Sequence, residues 1–123
     1  MRYLCLIYID EDKLDANPAN DCLAYAATLR EAGHCLAVEA LECGPPTTDV
    51  RVRDGNVSAN DGPFIETKEH LAGFYVLDVR DLDKAVELVA KIPSAPAGRV
   101  EIRPILMQDP SEGSGVSADM PSW

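Results

Sequence analysis

Residues 61–70, Asp61-Gly62-Pro63-Phe64-Ile65-Glu66-Thr67-Lys68-Glu69-His70, bring carboxylates, an amine and an imidazole into one short segment. Groups that close shift one another's proton affinity and can move a carboxylate or a histidine into the range useful for proton transfer. If the segment is extended, Glu66, Lys68 and His70 share one face and Glu69 points away. Asp61 and His70 are the candidate bases, and Glu66 is the third candidate catalytic group. Two plainer readings stay open: Asp before Gly-Pro closes a tight turn through its own backbone, and the whole segment reads equally as a solvated charged loop. Arg51 and Arg53 alternate with Val50 and Val52, and Arg103 lies near the C-terminal end of the apolar sequence. Guanidinium forks pair with carboxylates, so Arg53 and Arg103, with Lys68, are candidate contacts for an anionic substrate. The same arginines also read as partners of Glu101 or Glu66 inside a dimer. Tyr3, Tyr8 and Tyr25 read as core aromatics, whereas the Tyr75 hydroxyl is expected to reach a cavity.

Other chemistry finds no footing. There is no G-x-G-x-x-G, no G-x-x-x-x-G-K-[ST] and no H-E-x-x-H, so no cofactor is expected. Cys5, Cys22, Cys35 and Cys43 form no C-x-x-C pair and sit in or beside apolar segments, as reduced, buried thiols of a cytoplasmic protein would. His34 and Cys35 adjoin Cys43 in sequence, but neighbours on a strand face opposite ways, which argues against a shared metal. Lys plus Arg number 11 against 21 for Asp plus Glu, a formal net charge of −10. Such a surface repels phosphate backbones and anionic headgroups, so neither nucleic acid nor membrane is an expected partner. The apolar run from Leu4 to Ile9 is far too short to span a bilayer.

These groups must be held by a single domain, since 123 residues with 46% apolar side chains can bury one core. Tyr3 to Ile9 reads as a strand covered on both faces. Asn17 is expected to cap a helix that Pro18 opens, with Cys22, Tyr25, Ala26, Leu29 and Ala32 on its buried stripe and Gly33 as its stop. A second strand follows from His34 to Glu42, then a hairpin turning at Asp54-Gly55. A third strand of the main sheet runs from Ala72 to Val79. Asp81 caps a second helix with Leu82, Ala85, Val86, Val89 and Ile92 buried, a Glu87–Lys91 surface pair, and Pro93 as terminator. The last strand spans about Arg99 to Leu106, and residues 108–123, rich in Ser, Gly, Pro and Asp, read as a disordered tail.

The order is that of a ferredoxin-like βαββαβ domain, class α+β, with an inserted β-hairpin. Two helices cover one face of such a sheet. Yet Tyr3, Cys5, Ile7 and Ile9 alternate with Leu4, Leu6 and Tyr8, and Phe74 and Val76 alternate with Tyr75 and Leu77. A sheet apolar on both faces needs a second cover, and two-fold self-association supplies it. A homodimer is the expectation.

The stretch Asp61-Gly62-Pro63-Phe64-Ile65-Glu66-Thr67-Lys68-Glu69, with Leu71-Ala72-Gly73-Phe74-Tyr75 after it, resembles the signature of the DGPF-motif branch of the YCII-related proteins. Met1 to Tyr8 resembles that family's first strand, Val50 to Gly55 its hairpin and Val100 to Ile105 its last strand, so the likeness covers roughly residues 1–107. The resemblance implies a dimeric α+β barrel, as in muconolactone isomerase-like enzymes. It also implies a His and Asp pair as the suspected chemistry of YCII-related proteins, and an association of DGPF members with extracytoplasmic-function sigma factors. This chain has only His34 and His70, neither in the middle of the first helix, so the family's histidine is not carried over. Two functions follow as expectations. One is a cofactor-independent lyase or isomerase moving a proton on a small anionic molecule. The other is a non-catalytic ligand-binding or regulatory module that serves a sigma factor or another partner protein.

Overall fold

The computed structural model describes residues 1–42, 47–61 and 68–106. Strand β1 (Arg2–Asp10) leads through a 3-10 turn (Glu11–Ala16) into helix α1 (Ala19–Glu31) and strand β2 (Cys35–Ala40). The hairpin β3 (Thr48–Arg53) and β4 (Asn56–Asp61) comes next, then β5 (Glu69–Asp78), α2 (Leu82–Val89), a short 3-10 turn (Ala95–Ala97) and β6 (Gly98–Pro104). The main sheet has the order β2-β5-β1-β6 with every pair antiparallel, and β3-β4 forms a separate two-stranded sheet. Without the hairpin this is the ferredoxin-like arrangement expected from the sequence.

Alternation along β1 sends Tyr3, Cys5, Ile7 and Ile9 beneath the helices, all at or below 4% exposure, and leaves Leu4, Leu6 and Tyr8 half-buried on the other face. In β5 Tyr75 and Leu77 face the helices, while Phe74 and Val76 lie opposite Leu6 and Leu4 on the open face. From the helices, Cys22, Ala26 and Leu29 of α1 and Ala85, Leu88 and Val89 of α2 complete the core. Each large aliphatic side chain fully withdrawn from water there stabilises the fold by roughly 1.5–3 kcal/mol.

Five local expectations are corrected. Ala32 is exposed at the C-terminal cap of α1 and not on its buried stripe. Asn17 does not cap α1: Pro18 holds the cap position, the amide of Ala19 bonds the Asn17 main-chain oxygen at 3.0 Å, and the Asn17 side chain is left for other partners. The buried stripe of α2 is Ala85, Leu88 and Val89, with Ile92 buried just beyond the helix and Leu82 and Val86 about half exposed. Both sets satisfy helical spacing, and the helix turns the one that includes Leu88 toward the sheet. The helix ends at Val89, before Lys91, so the ion pair on its surface is Lys84 with Glu87 at 3.4 Å. Arg103 pairs with the expected Glu101 at 3.0 Å, whereas Arg51 takes Asp49 at 3.3 Å, because alternation on an edge strand or hairpin places residues two apart on one face. Elsewhere the local chemistry is as read: Asp81 caps α2 by accepting the Lys84 amide at 2.9 Å, and Gly33 closes α1 at φ +81. The tail assigned to residues 108–123 lies outside the described residues.

Candidate functional site

The residues singled out for chemistry do not gather at one place among those described. Lys68 is exposed, and its carbonyl accepts the Glu11 amide at 2.6 Å where β5 begins. His70 lies opposite Ile9, and its Nε2 is closed off from water with no hydrogen-bond partner among the described residues, 3.9 Å from a Glu11 carboxylate oxygen. Arg53 ends β3 and donates to the adjacent Val52 carbonyl at 3.0 Å. Arg103 stands on β6 opposite Leu4, on the open face of the main sheet. Tyr75 is buried on the opposite, helix-covered face. Asp61 closes β4 opposite Thr48, but its side chain lies outside what is described, as does Glu66 altogether.

A different set of side chains does converge. Where α1 starts, its first turn stands off β2 and β5 and leaves a cleft of about 280 Å³, its open mouth included. Its walls are small residues, Ala19, Ala40, Ala72 and Gly73, together with Leu23, Val38 and Tyr75. Gly73 is required there, since a Cβ would sit 2.6 Å from the Glu39 carbonyl oxygen. The enclosed part is narrow, wide enough for a water-sized group, and the rest opens outward.

The polar end of the cleft is a hydrogen-bonded chain from three distant segments. Ser94, which follows α2, is 2% exposed and donates to Asn17 Oδ1 at 2.9 Å. Its single hydroxyl proton is thereby used, so in the 2.8 Å contact with Cys22 the thiol is the donor. The Tyr75 hydroxyl donates to the Cys22 carbonyl, tying the first turn of α1 to the sheet. Burial, with Cys22 and Cys35 nearby, pushes the Tyr75 phenol well above its ordinary range, so it stays neutral. Tyr75 therefore does line a cavity, but its hydroxyl is committed to the backbone. Ser94 and Cys22 were not picked out as site residues. Ser94 sits between two prolines in what reads as a loop, and Cys22 reads as core. Only their meeting in space marks them.

Cys43 lies outside the described residues, and the other two described thiols have a structural part. Burial pushes Cys5 up to about 12, and raises Cys35 as well, so both are inert and protonated. No group of three His, Cys, Asp or Glu able to hold a metal occurs among the described residues. No helix among them is long and apolar enough to cross a membrane.

On the far side of the sheet, Leu4, Leu6, Phe74 and Val76 form an apolar field bordered by charge. The Arg99 guanidinium lies 4.3 Å from the Tyr8 ring centre and takes both Glu69 oxygens at 3.0 and 3.1 Å. Glu101 continues the row, 3.8 Å from Arg99 and 3.0 Å from Arg103.

Two comparisons bear on this chain. The family model described as the YCII-related domain matches residues 1–109. An uncharacterised protein, R00369 of Rhizobium meliloti (strain 1021), is 32% identical over 121 residues, which cover 91% of this chain and 98% of the relative.

Proposed function

On the premise that the chain belongs to the YCII-related family, we propose that it is a small-molecule-binding domain that works as a homodimer and binds without turnover. The observation that carries this reading is the cleft beside the first turn of α1, apolar along its walls and closed at one end by Ser94, Cys22 and Asn17. Concave, mainly apolar sites with a few placed polar groups are how proteins hold small molecules. Binding is favoured over proton transfer because the titratable side chains lining the cleft on its core side are a thiol that donates to Ser94 and a phenol whose proton burial retains. Binding without turnover suits a regulatory module, including one that serves a sigma factor. The half-buried apolar field on the open face supports the dimer. Residues 61–64 support the DGPF-motif branch, and free, buried Cys5, Cys22 and Cys35 support a cytoplasmic setting.

The test is a screen of small organic molecules by amide chemical shifts on ¹⁵N-labelled protein. Hits are expected to move the amides of residues 19–23, 38–40 and 72–75, and to lose that effect in Ala19→Leu, which fills the mouth without touching the buried core. Hits that map to Arg53 or Arg103, or that persist in Ala19→Leu, would reject the cleft as the binding site.

A further inference from the structure

We infer that the ligand class of this cleft is the small uncharged carbonyl compound, a ketone, ester or amide, with its oxygen turned to the side-chain amide of Asn17. This rests on the reading of the cleft as the ligand site and narrows what enters it. Among the described residues, Glu39 is the one charged residue at the cleft. It lies opposite Phe74, while its neighbour Val38 packs on the core opposite Tyr75. Alternation therefore sends the Glu39 carboxylate to the open face, and only its main chain borders the cleft. The arginines named above are elsewhere, on the hairpin or across the sheet. An anion entering here would shed its hydration and meet no counter-charge among the described residues, in a chain that already carries a formal net charge of −10. A cation would meet no carboxylate among them.

The side-chain protons left unspent at the cleft favour an acceptor at the ligand's head. The proton of the Tyr75 hydroxyl is spent on the Cys22 carbonyl, that of the Cys22 thiol on Ser94, and that of the Ser94 hydroxyl on Asn17 Oδ1. Among the described lining residues, the side-chain donor that remains is the Asn17 amide nitrogen. That is a donor, so it calls for an acceptor. The apolar body of the ligand would lie in the open part of the cleft, against Leu23, Val38 and Ala72, outside the narrow enclosed end.

Benzamide and benzoate make the test, since they share a shape and differ in charge. In amide-shift titrations of the full chain, benzamide should saturate shifts at residues 19–23, 38–40 and 72–75. Benzoate should bind about ten-fold more weakly or less. Asn17→Leu, which removes the donor and leaves the apolar walls, should weaken benzamide several-fold and benzoate hardly at all. Benzoate binding the cleft as tightly as benzamide would overturn the ligand class while leaving the cleft a binding site. Benzamide binding that is indifferent to Asn17→Leu would overturn the role of that amide. Neither probe shifting the cleft residues would overturn the binding site along with it.

Discussion

The two sides of the main sheet carry equally oily strands and opposite fates. On the helix side, Cys5, Ile9 and Leu77 are wholly withdrawn from water, and Ser94, the one buried polar residue among those described, has its hydroxyl both donating and accepting. On the open side, Leu4, Leu6, Phe74 and Val76 are only half-buried, and the charges along β6 are lined up beside them in alternating sign. The difference teaches that apolar content alone does not make a core. What separates the sides is whether cover comes from within the chain. Helices α1 and α2 supply it once, and the sheet has two faces to protect.

Mutation on the helix side should have the largest effect. Leu77 is fully buried, and Leu77→Ala should cost about 2–5 kcal/mol of stability in urea unfolding, because the rigid surroundings of the sheet and helices cannot close the cavity. A loss under about 1 kcal/mol would mean that the helix side is loosely packed and that the contrast is false.

Phe74, three residues away on the other side, should respond differently. Phe74→Lys should leave the unfolding free energy of the isolated chain within about 1 kcal/mol of the parent. It should weaken self-association by about 2 kcal/mol or more, roughly thirty-fold in the dissociation constant, read by sedimentation equilibrium. The parent chain remaining a 13.3 kDa monomer at the highest concentrations tested would remove the second copy as the cover for this face.

How far each side is legible in the sequence follows from the range of the interactions. Strand β1 announces itself because Tyr3 to Ile9 is unbroken by polar residues, and α2 because Asp81 is followed by apolar residues at helical spacing. The rotation of α2 is not legible, since Leu82 with Val86 and Ala85 with Leu88 fit the same period, and only the position of the sheet decides between them. The cleft is still less legible. Its polar chain joins residues 53, 72 and 77 positions apart, and except for Tyr75, whose hydroxyl is expected to reach a cavity, each reads alone as something ordinary: a core cysteine, a loop serine, a helix cap. The charged segment at 61–70 attracted attention for the opposite reason: its groups are neighbours along the chain. Of its described members, Glu69 and His70 part company, since a strand sends successive side chains to opposite faces: Glu69 pairs with Arg99 and His70 lies by Glu11.

The smallest effect concerns protons. Cys5 is fully withdrawn from water on the helix side, and burial, with Cys35 nearby, raises its thiol from 9.0 to about 12. A group whose folded-state value lies above its unfolded one contributes stability that is complete below the unfolded value and is lost above it. Below about pH 9 the thiol is protonated in both states, and nothing changes. From 9 toward 12 the unfolded chain releases a proton that the folded chain keeps, so stability falls as pH rises. Tyr75 and Tyr25, also raised by burial, add to the fall in the same direction. Urea unfolding in steps from about pH 7 to about pH 11 should give a plateau and then a decline, and Cys5→Ala should make the decline shallower. A profile that stays level through that range would mean water reaches the thiol, and the helix side would then be no drier than the open one.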